Sequence, residues 1–381
     1  MIYADNAATT KLDSAAFEAM KPYLLEEYAN ASQPYAFSRK PRKALAQARE
    51  IIADCIHAKV NEIFFTSGGT ESDNWVIKSS AFSDFSRRPT VTSAFEHHAL
   101  LRSCSAIERM GYPVAYLRPS PDGQITTEEL EKCLSRQTRL VSIMFANNEL
   151  GSIQPIESLC EKAHAYGALF HTDAVQAVGH VEIDVRKLGV DFLSASAHKF
   201  NGPKGVGFLY IREGAPLASY ADGGAQERGY RAGTENVAGI VGMATALRTN
   251  CDNLETIQRH LRLLERILLS RLHVGGVSFF RNGGSNTLPG LMSLSFPGFS
   301  GEMILHRMDL MGVCISTGSA CDSRNVEISH VLQAVGLDEE LARGTVRISL
   351  GKNNTSEDAN AIADALIRIV CGASKRYPHK D

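Results

Sequence analysis

The sequence predicts an α/β fold, with a large domain on a mostly parallel seven-stranded sheet and a smaller α+β domain. Three observations carry this. The chain has 381 residues, about enough for two hydrophobic cores. Strand-like and helix-like segments alternate through its first two thirds, the pattern of a parallel sheet flanked by helices. After residue 252 the pattern changes to one long charged helical stretch followed by separate strands. The expected division is 12–252 for the large domain, with 1–11 and 253–381 forming the small one.

The elements follow in order. A short β-rich run at 62–66 (EIFFT) leads into a helical stretch at 71–79. Further strands are expected at 90–93, 114–117, 140–145 (LVSIMF), 168–172, 192–195 and 207–211, with helices at 100–110, 128–134 and 156–166. Beyond them come a helix at 253–273, strands at 291–296, 313–316 and 345–350, and a terminal helix at 356–370.

Composition excludes several classes. Forty basic and 42 acidic residues give a net charge of -2, so the chain lacks the basic excess of a general nucleic-acid binder. Eight cysteines are too sparse for a disulfide scaffold, and without a CxxC no metal site is expected. The longest mostly apolar run, 237–247, is too short to span a bilayer. The N-terminus has no basic and apolar leader pattern, so the expectation is a cytoplasmic protein with reduced thiols and no membrane contact.

Three segments carry chemistry. In Thr66-Ser67-Gly68-Gly69-Thr70-Glu71-Ser72, two glycines join a strand to a helix N-terminus, which reads as a phosphate cradle or as a plain capped turn. It is neither a Walker A loop nor GxGxxG. Asp173 follows an apolar strand, where α/β sheets place ligand-contacting groups, and Gln176 lies one turn on; a capping Asp with a solvated Gln is the alternative. Lys199 follows another apolar strand amid small residues, ahead of Gly202-Pro203-Lys204-Gly205. Burial there would leave a nucleophilic amine able to form a Schiff base with an aldehyde; a surface lysine beside a glycine turn is the alternative. A phosphate cradle, an acid for a ring nitrogen and a Schiff-base lysine together meet the needs of pyridoxal 5'-phosphate.

The run Ser194-Ala195-Ser196-Ala197-His198-Lys199 with its glycine turn resembles the lysine signature of the class V aminotransferase-like enzymes, of the type I pyridoxal-phosphate transferase fold. Within them the chain is similar to the cysteine desulfurases of the NifS/IscS type, from Asp5-Asn6-Ala7-Ala8-Thr9-Thr10 to Arg347-Ile348-Ser349-Leu350-Gly351. The resemblance implies that Lys199 holds the cofactor, Asp173 pairs with its ring nitrogen and Gln176 contacts its ring hydroxyl. It assigns Gly69, Thr70, Ser196 and His198 to the phosphate, and His97 of the Glu96-His97 pair to stacking and proton movement. His98 matches no family role and reads as structural or exposed. Asn148 would contact cofactor and substrate, and Arg347 the substrate carboxylate. Thr234, in the glycine-rich segment 223–234, would reach the partner subunit's cofactor phosphate in a homodimer. Ser316-Thr317-Gly318-Ser319-Ala320-Cys321 resembles the family's loop carrying the sulfur-accepting cysteine, and the other seven cysteines read as structural.

The implied activity is removal of sulfur from L-cysteine, giving L-alanine and a Cys321 persulfide. That persulfide passes to an acceptor protein, an iron–sulfur scaffold or a tRNA- or cofactor-thiolation enzyme. The rival readings are a selenocysteine lyase, a cysteine sulfinate desulfinase or an aminotransferase of the same fold, and a non-catalytic sulfur-carrier scaffold. Two departures stand out. Ala29-Asn30-Ala31-Ser32-Gln33-Pro34-Tyr35 replaces the family's Gly-Asn-Pro-Ser-Ser-x-His, and the scaffold-docking C-terminal extension of some relatives is not expected here.

Overall fold

A computed structural model of the chain describes residues 1–83, 86–318 and 328–374. In chain order, β1 (Ile2–Tyr3), α1 (Ser14–Leu25) and α2 (Arg39–Cys55) come first. Next are β2 (Ile63–Thr66), α3 (Gly69–Phe82), β3 (Thr90–Ser93), α4 (His98–Arg109), β4 (Val114–Leu117) and α5 (Thr127–Cys133). They are followed by β5 (Leu140–Ser142), α6 (Ile156–Ala165), β6 (Leu169–Asp173), α7 (Val185–Leu188), β7 (Phe192–Ser196) and β8 (Gly207–Ile211). The remainder comprises α8 (Val237–Asp252), α9 (Leu254–Val274), β9 (Phe280–Arg281), β10 (Leu291–Ser295) and α10 (Gly301–Leu310). It closes with β11 (Val313–Cys314), α11 (His330–Ala334), α12 (Glu339–Arg343), β12 (Thr345–Ser349) and α13 (Ser356–Ser374).

Seven strands form one sheet in the order β2-β8-β7-β6-β5-β3-β4. It is the expected mostly parallel sheet, with β8 alone antiparallel to its neighbours β2 and β7. The cause is the short link 197–206, because a parallel return would need a crossover of a dozen or more residues. The strands are apolar on both faces, as a covered sheet requires. Phe64, Leu140, Phe192, Leu209 and Ile211 face α3 and α4. Their alternates Ile63, Phe65, Val141, Leu193 and Phe208 pack with Leu45, Ala48 and Ile52 of α2 and with α6 and α8.

A second core surrounds the antiparallel sheet β12-β10-β9. Leu261, Leu264, Leu268 and Leu272 of α9 repeat every three or four residues and meet Leu294, Ile348 and Leu366 there. The N-terminus returns to this part, with β1 pairing parallel to β11. Leu288, Leu291, Val331 and Leu332 cross over and pack into the first core.

Several elements differ from expectation. The strand expected over 140–145 is regular only to Ser142, because the chain then bends towards the sheet's end, and α1, α2 and α8 form where no helix was assigned. In α2 the signal was present in the spacing of Leu45, Ala48 and Ile52, all buried. No helix among the described residues is long and apolar enough to cross a membrane.

Candidate active site

The carboxyl ends of the parallel strands open onto a cavity of about 530 Å³. This is where an α/β sheet leaves free loop backbone and helix N-termini. Gly69, Thr70, His97, Asn148, Asp173, Gln176, Ser196, His198, Lys199 and Arg347 all line it. The chain thus brings together every sequence-assigned residue except two. Thr234 is exposed and lines a neighbouring cleft that shares Ser67 and Gly205 with the cavity. Cys321 lies outside the described residues, although Ser316 and Gly318, just before it, form part of the cavity wall.

At the cradle, Gly68 has φ +146° and begins α3 with no side-chain cap, so the helix's first N–H groups face the cavity. Gly207 is required opposite, because a Cβ there would stand 2.7 Å from the Gly68 Cα. Glu71 is clamped by Arg231 at 2.8 Å and accepts from the Ser67 N–H at 3.0 Å. Burial would push its carboxyl up, but these bonds outweigh it and hold the pKa below the ordinary value.

Lys199 follows β7 in a short turn and reaches across to the N-terminal segment. Its Nζ donates to the carbonyls of Ala7 (2.6 Å) and Ala8 (2.9 Å). Gln176 Nε2 also donates to Ala7 O, at 2.9 Å. His198 is pinned by Thr9 Oγ1 at 3.1 Å, and its carbonyl accepts from Thr10 Oγ1 at 2.8 Å. The segment 7–10 therefore forms one wall of the site.

Asp173 ends β6 and accepts from the Val175 N–H at 2.9 Å. Burial pushes its pKa up, opposed by that bond and by the charge of Lys199. His97 caps α4, its Nδ1 accepting from the Ala99 N–H at 3.2 Å. The ring is open to the cavity but walled by protein elsewhere. Burial first, then Lys199, His98 and His330, lower its pKa to about 4, so it is neutral at pH 7. Arg347, on β12, donates to Asp5 Oδ1 at 2.7 Å and to Asn148 O at 3.1 Å, while its Nε is buried without a partner.

Several residues here had no assignment from sequence. His98 lines the cavity with its ring centroid 4.5 Å from that of His330, which also donates to Glu96 O at 2.9 Å. Glu96 is fully buried, accepts from Ser93 Oγ at 2.5 Å and from the Met144 N–H at 2.9 Å, and is pushed up to about 8 by burial. Asp73, buried in α3, is pushed well up by burial and by Asp173. Behind Asp173, His171 is bonded to Ser142 Oγ at 2.7 Å and Ser194 Oγ at 3.0 Å. Asn147 is a turn staple, its Oδ1 accepting from the Glu149 and Leu150 N–H groups. Glu149 accepts from Ser329 at 2.6 Å and leaves no space for a Cβ on Gly318.

This donor set fits pyridoxal phosphate. An uncapped helix N-terminus with Thr70 and Ser196 suits a phosphate, a buried carboxylate suits a ring cation, and a flat neutral imidazole suits a ring face. A primary amine held only by backbone carbonyls suits an aldehyde carbon. Among the described residues no group of three His, Cys, Asp or Glu could hold a metal ion.

Comparison with known proteins agrees in kind. The sequence matches the aminotransferase class-V family over residues 2–362. It is 46% identical over 381 residues to the cysteine desulfurase IscS of Dictyoglomus turgidum, covering 100% of this chain and 97% of that one. It is 44% identical over 376 residues to the cysteine desulfurase IscS of Methanosarcina thermophila, covering 97% and 92%. Among solved structures, a NifS-like protein superposes with a TM-score of 0.92 at 37% identity, covering 97% of this chain and 99% of that one. SspA in complex with cysteine superposes at 0.82 with 36% identity, covering 93% and 100%.

Proposed function

This chain belongs to the class-V aminotransferase family and is one of its cysteine desulfurases, and from that premise we propose how its own residues take sulfur from L-cysteine and hand it on. The observation that carries the reading is the meeting of Lys199, Asp173 and Arg347 on one cavity, with the approach to Cys321 as part of its wall. Bound through Lys199, pyridoxal phosphate supplies an electron sink for negative charge at the substrate Cα. Asp173 is the partner of the ring nitrogen. A cation there stabilises the ionised carboxylate that burial alone disfavours. Gly69, Thr70, Ser196 and His198 hold the phosphate.

Arg347 grips the substrate carboxylate, and its unpartnered Nε supports this role. Lys199, displaced by the substrate amine, takes the Cα proton. His97, neutral at pH 7, accepts the substrate thiol proton or steadies the ring face. The Cys321 thiolate then attacks the substrate sulfur. An S–S bond forms at Cys321 as the substrate C–S bond breaks, and the electron pair left on carbon ends in a C–H bond of L-alanine. The persulfide passes to an acceptor protein for iron–sulfur cluster assembly or for tRNA or cofactor thiolation. Free thiols at this step suit a reducing cytoplasm. The exposed Leu24, Leu25, Tyr28, Tyr35 and Phe37 support a homodimer, since such an apolar surface favours a protein partner.

The test is a single turnover with L-cysteine and no reductant. The wild type yields alanine and protein-bound persulfide in equal amounts. Cys321→Ala keeps the visible absorbance of the Lys199-bound cofactor but yields no persulfide. Sulfur transfer at the wild-type rate by that variant would sink the reading, and consumption of a keto acid would point to transamination.

A further inference from the structure

We propose that Cys55 and Cys251 form a redox-active thiol pair, a site of reversible disulfide formation separate from the desulfurase centre. Cys55 is the last residue of α2, and Cys251 lies in the last turn of α8, which packs against it. Their thiols are in hydrogen-bond contact. Both are free and half-buried, packed at the edge of the first core. They are therefore screened from bulk contact yet within reach of a small oxidant.

A guanidinium sits beside them. Arg248, one turn before Cys251, bonds Asp54 Oδ2, next to Cys55, at 2.5 Å, and also faces Asp252 Oδ1 at 3.7 Å. The charge bridges the two helices at the position of the sulfurs. The contact lets one thiol donate to the other, so the pair holds its last proton tightly and gives up its first more readily. The Cys55 S–H is the main factor favouring the Cys251 thiolate. Burial opposes it, Arg248 assists, and Asp252 and Asp54 oppose. A thiolate stabilised by a neighbouring S–H and a cation is the nucleophilic form of cysteine. The isolated thiols differ: burial pushes Cys104 well up and Cys160 up to about 12.

The oxidant class is a hydroperoxide. The Cys251 thiolate attacks hydrogen peroxide at oxygen, the O–O bond breaks, and hydroxide leaves a sulfenic acid on Cys251. Cys55 sulfur then attacks the sulfenic sulfur, the S–S bond forms and the second oxygen leaves as water. In total, two thiols and one hydrogen peroxide give one disulfide and two waters, the sulfurs supplying both electrons. The bond joins the ends of α2 and α8 where the chain turns from the first core into α9. The adjacent Asn250 donates to Phe200 O at 3.1 Å and accepts from Lys352 Nζ at 2.9 Å, next to the Lys199 turn.

The experiment treats the reduced, cofactor-loaded full chain with stoichiometric hydrogen peroxide, alkylates the remaining thiols and maps peptides without reductant. A linked 55–251 peptide is expected, lighter by two hydrogens than its separate halves and released by dithiothreitol. It should form at least about tenfold faster than exposed Cys133 is oxidised. Cys55→Ser should instead trap Cys251 as a dimedone-reactive sulfenic acid, with desulfurase activity unchanged. Recovery of both thiols in alkylated form while Cys133 is already oxidised would overturn the proposal, as would linkage of either to a different cysteine.

Discussion

Arg347 illustrates how much one side chain in this site already carries. It donates to Asp5 and to the Asn148 carbonyl, and it keeps one unpartnered nitrogen. A planar guanidinium can hold these groups and a substrate carboxylate together, whereas a lysine has a single nitrogen. Arg347→Lys is therefore expected to raise the KM for L-cysteine and lower kcat/KM. Losing a charge-assisted hydrogen bond of about 1.5–3 kcal/mol gives a reduction on the order of 10- to 100-fold. The absorbance of the bound cofactor should stay unchanged, which separates lost substrate binding from a collapsed site. Steady-state kinetics beside an absorbance spectrum check it. Arg347 was assigned from sequence by its family match, but its tie to Asp5 was not legible. That contact joins the two ends of the chain, and no local pattern encodes it.

Elements show the same division between what is local and what is long-range. The strands at 90–93, 114–117 and 207–211 form where their short β-rich runs predict, because such runs lose little by extending and gain burial on both faces. Pairing register is another matter. Ser142, His171 and Ser194 lie on β5, β6 and β7, and His171 pairs with Ser142 across β5 and β6. Their bonds run across the sheet and hold a fully buried imidazole neutral, its pKa lowered to about 3 by burial. In the unfolded chain the same ring takes a proton near ~6.5. The unfolded state thus binds more protons below that pH, so this histidine's contribution to stability falls as pH falls from about 6.5 to about 3. The expected slope is ~1.4 kcal/mol per pH unit. His171→Asn removes it. The difference in unfolding free energy between wild type and variant, followed from pH 7 downward by denaturant titration, should shrink with acidity. A difference independent of pH would mean that the ring is charged in the fold.

At the scale of the whole molecule, the remaining question is where Thr234 acts. The glycine-rich segment is held by Arg231 against Glu71, beside the cradle of its own chain. Thr234 nevertheless stays out of the cavity wall and exposed. A residue that served its own chain's phosphate would be expected to face that cavity, and one that serves a second copy can stand outside it. The homodimer reading turns this into a mixing test. Thr234→Ala alone should weaken cofactor binding by about tenfold, the worth of one hydrogen bond. Lys199→Ala alone should abolish covalent loading and turnover. Co-expressed with two different tags and purified as mixed dimers, the two variants create one site with Lys199 from one chain and Thr234 from the other. Contribution in trans then restores wild-type cofactor affinity and turnover in half of the sites. Contribution in cis leaves the Lys199-bearing site still lacking its threonine, and the mixed dimer binds cofactor no better than Thr234→Ala. Cofactor titration by absorbance, with alanine release on the same samples, distinguishes the two outcomes.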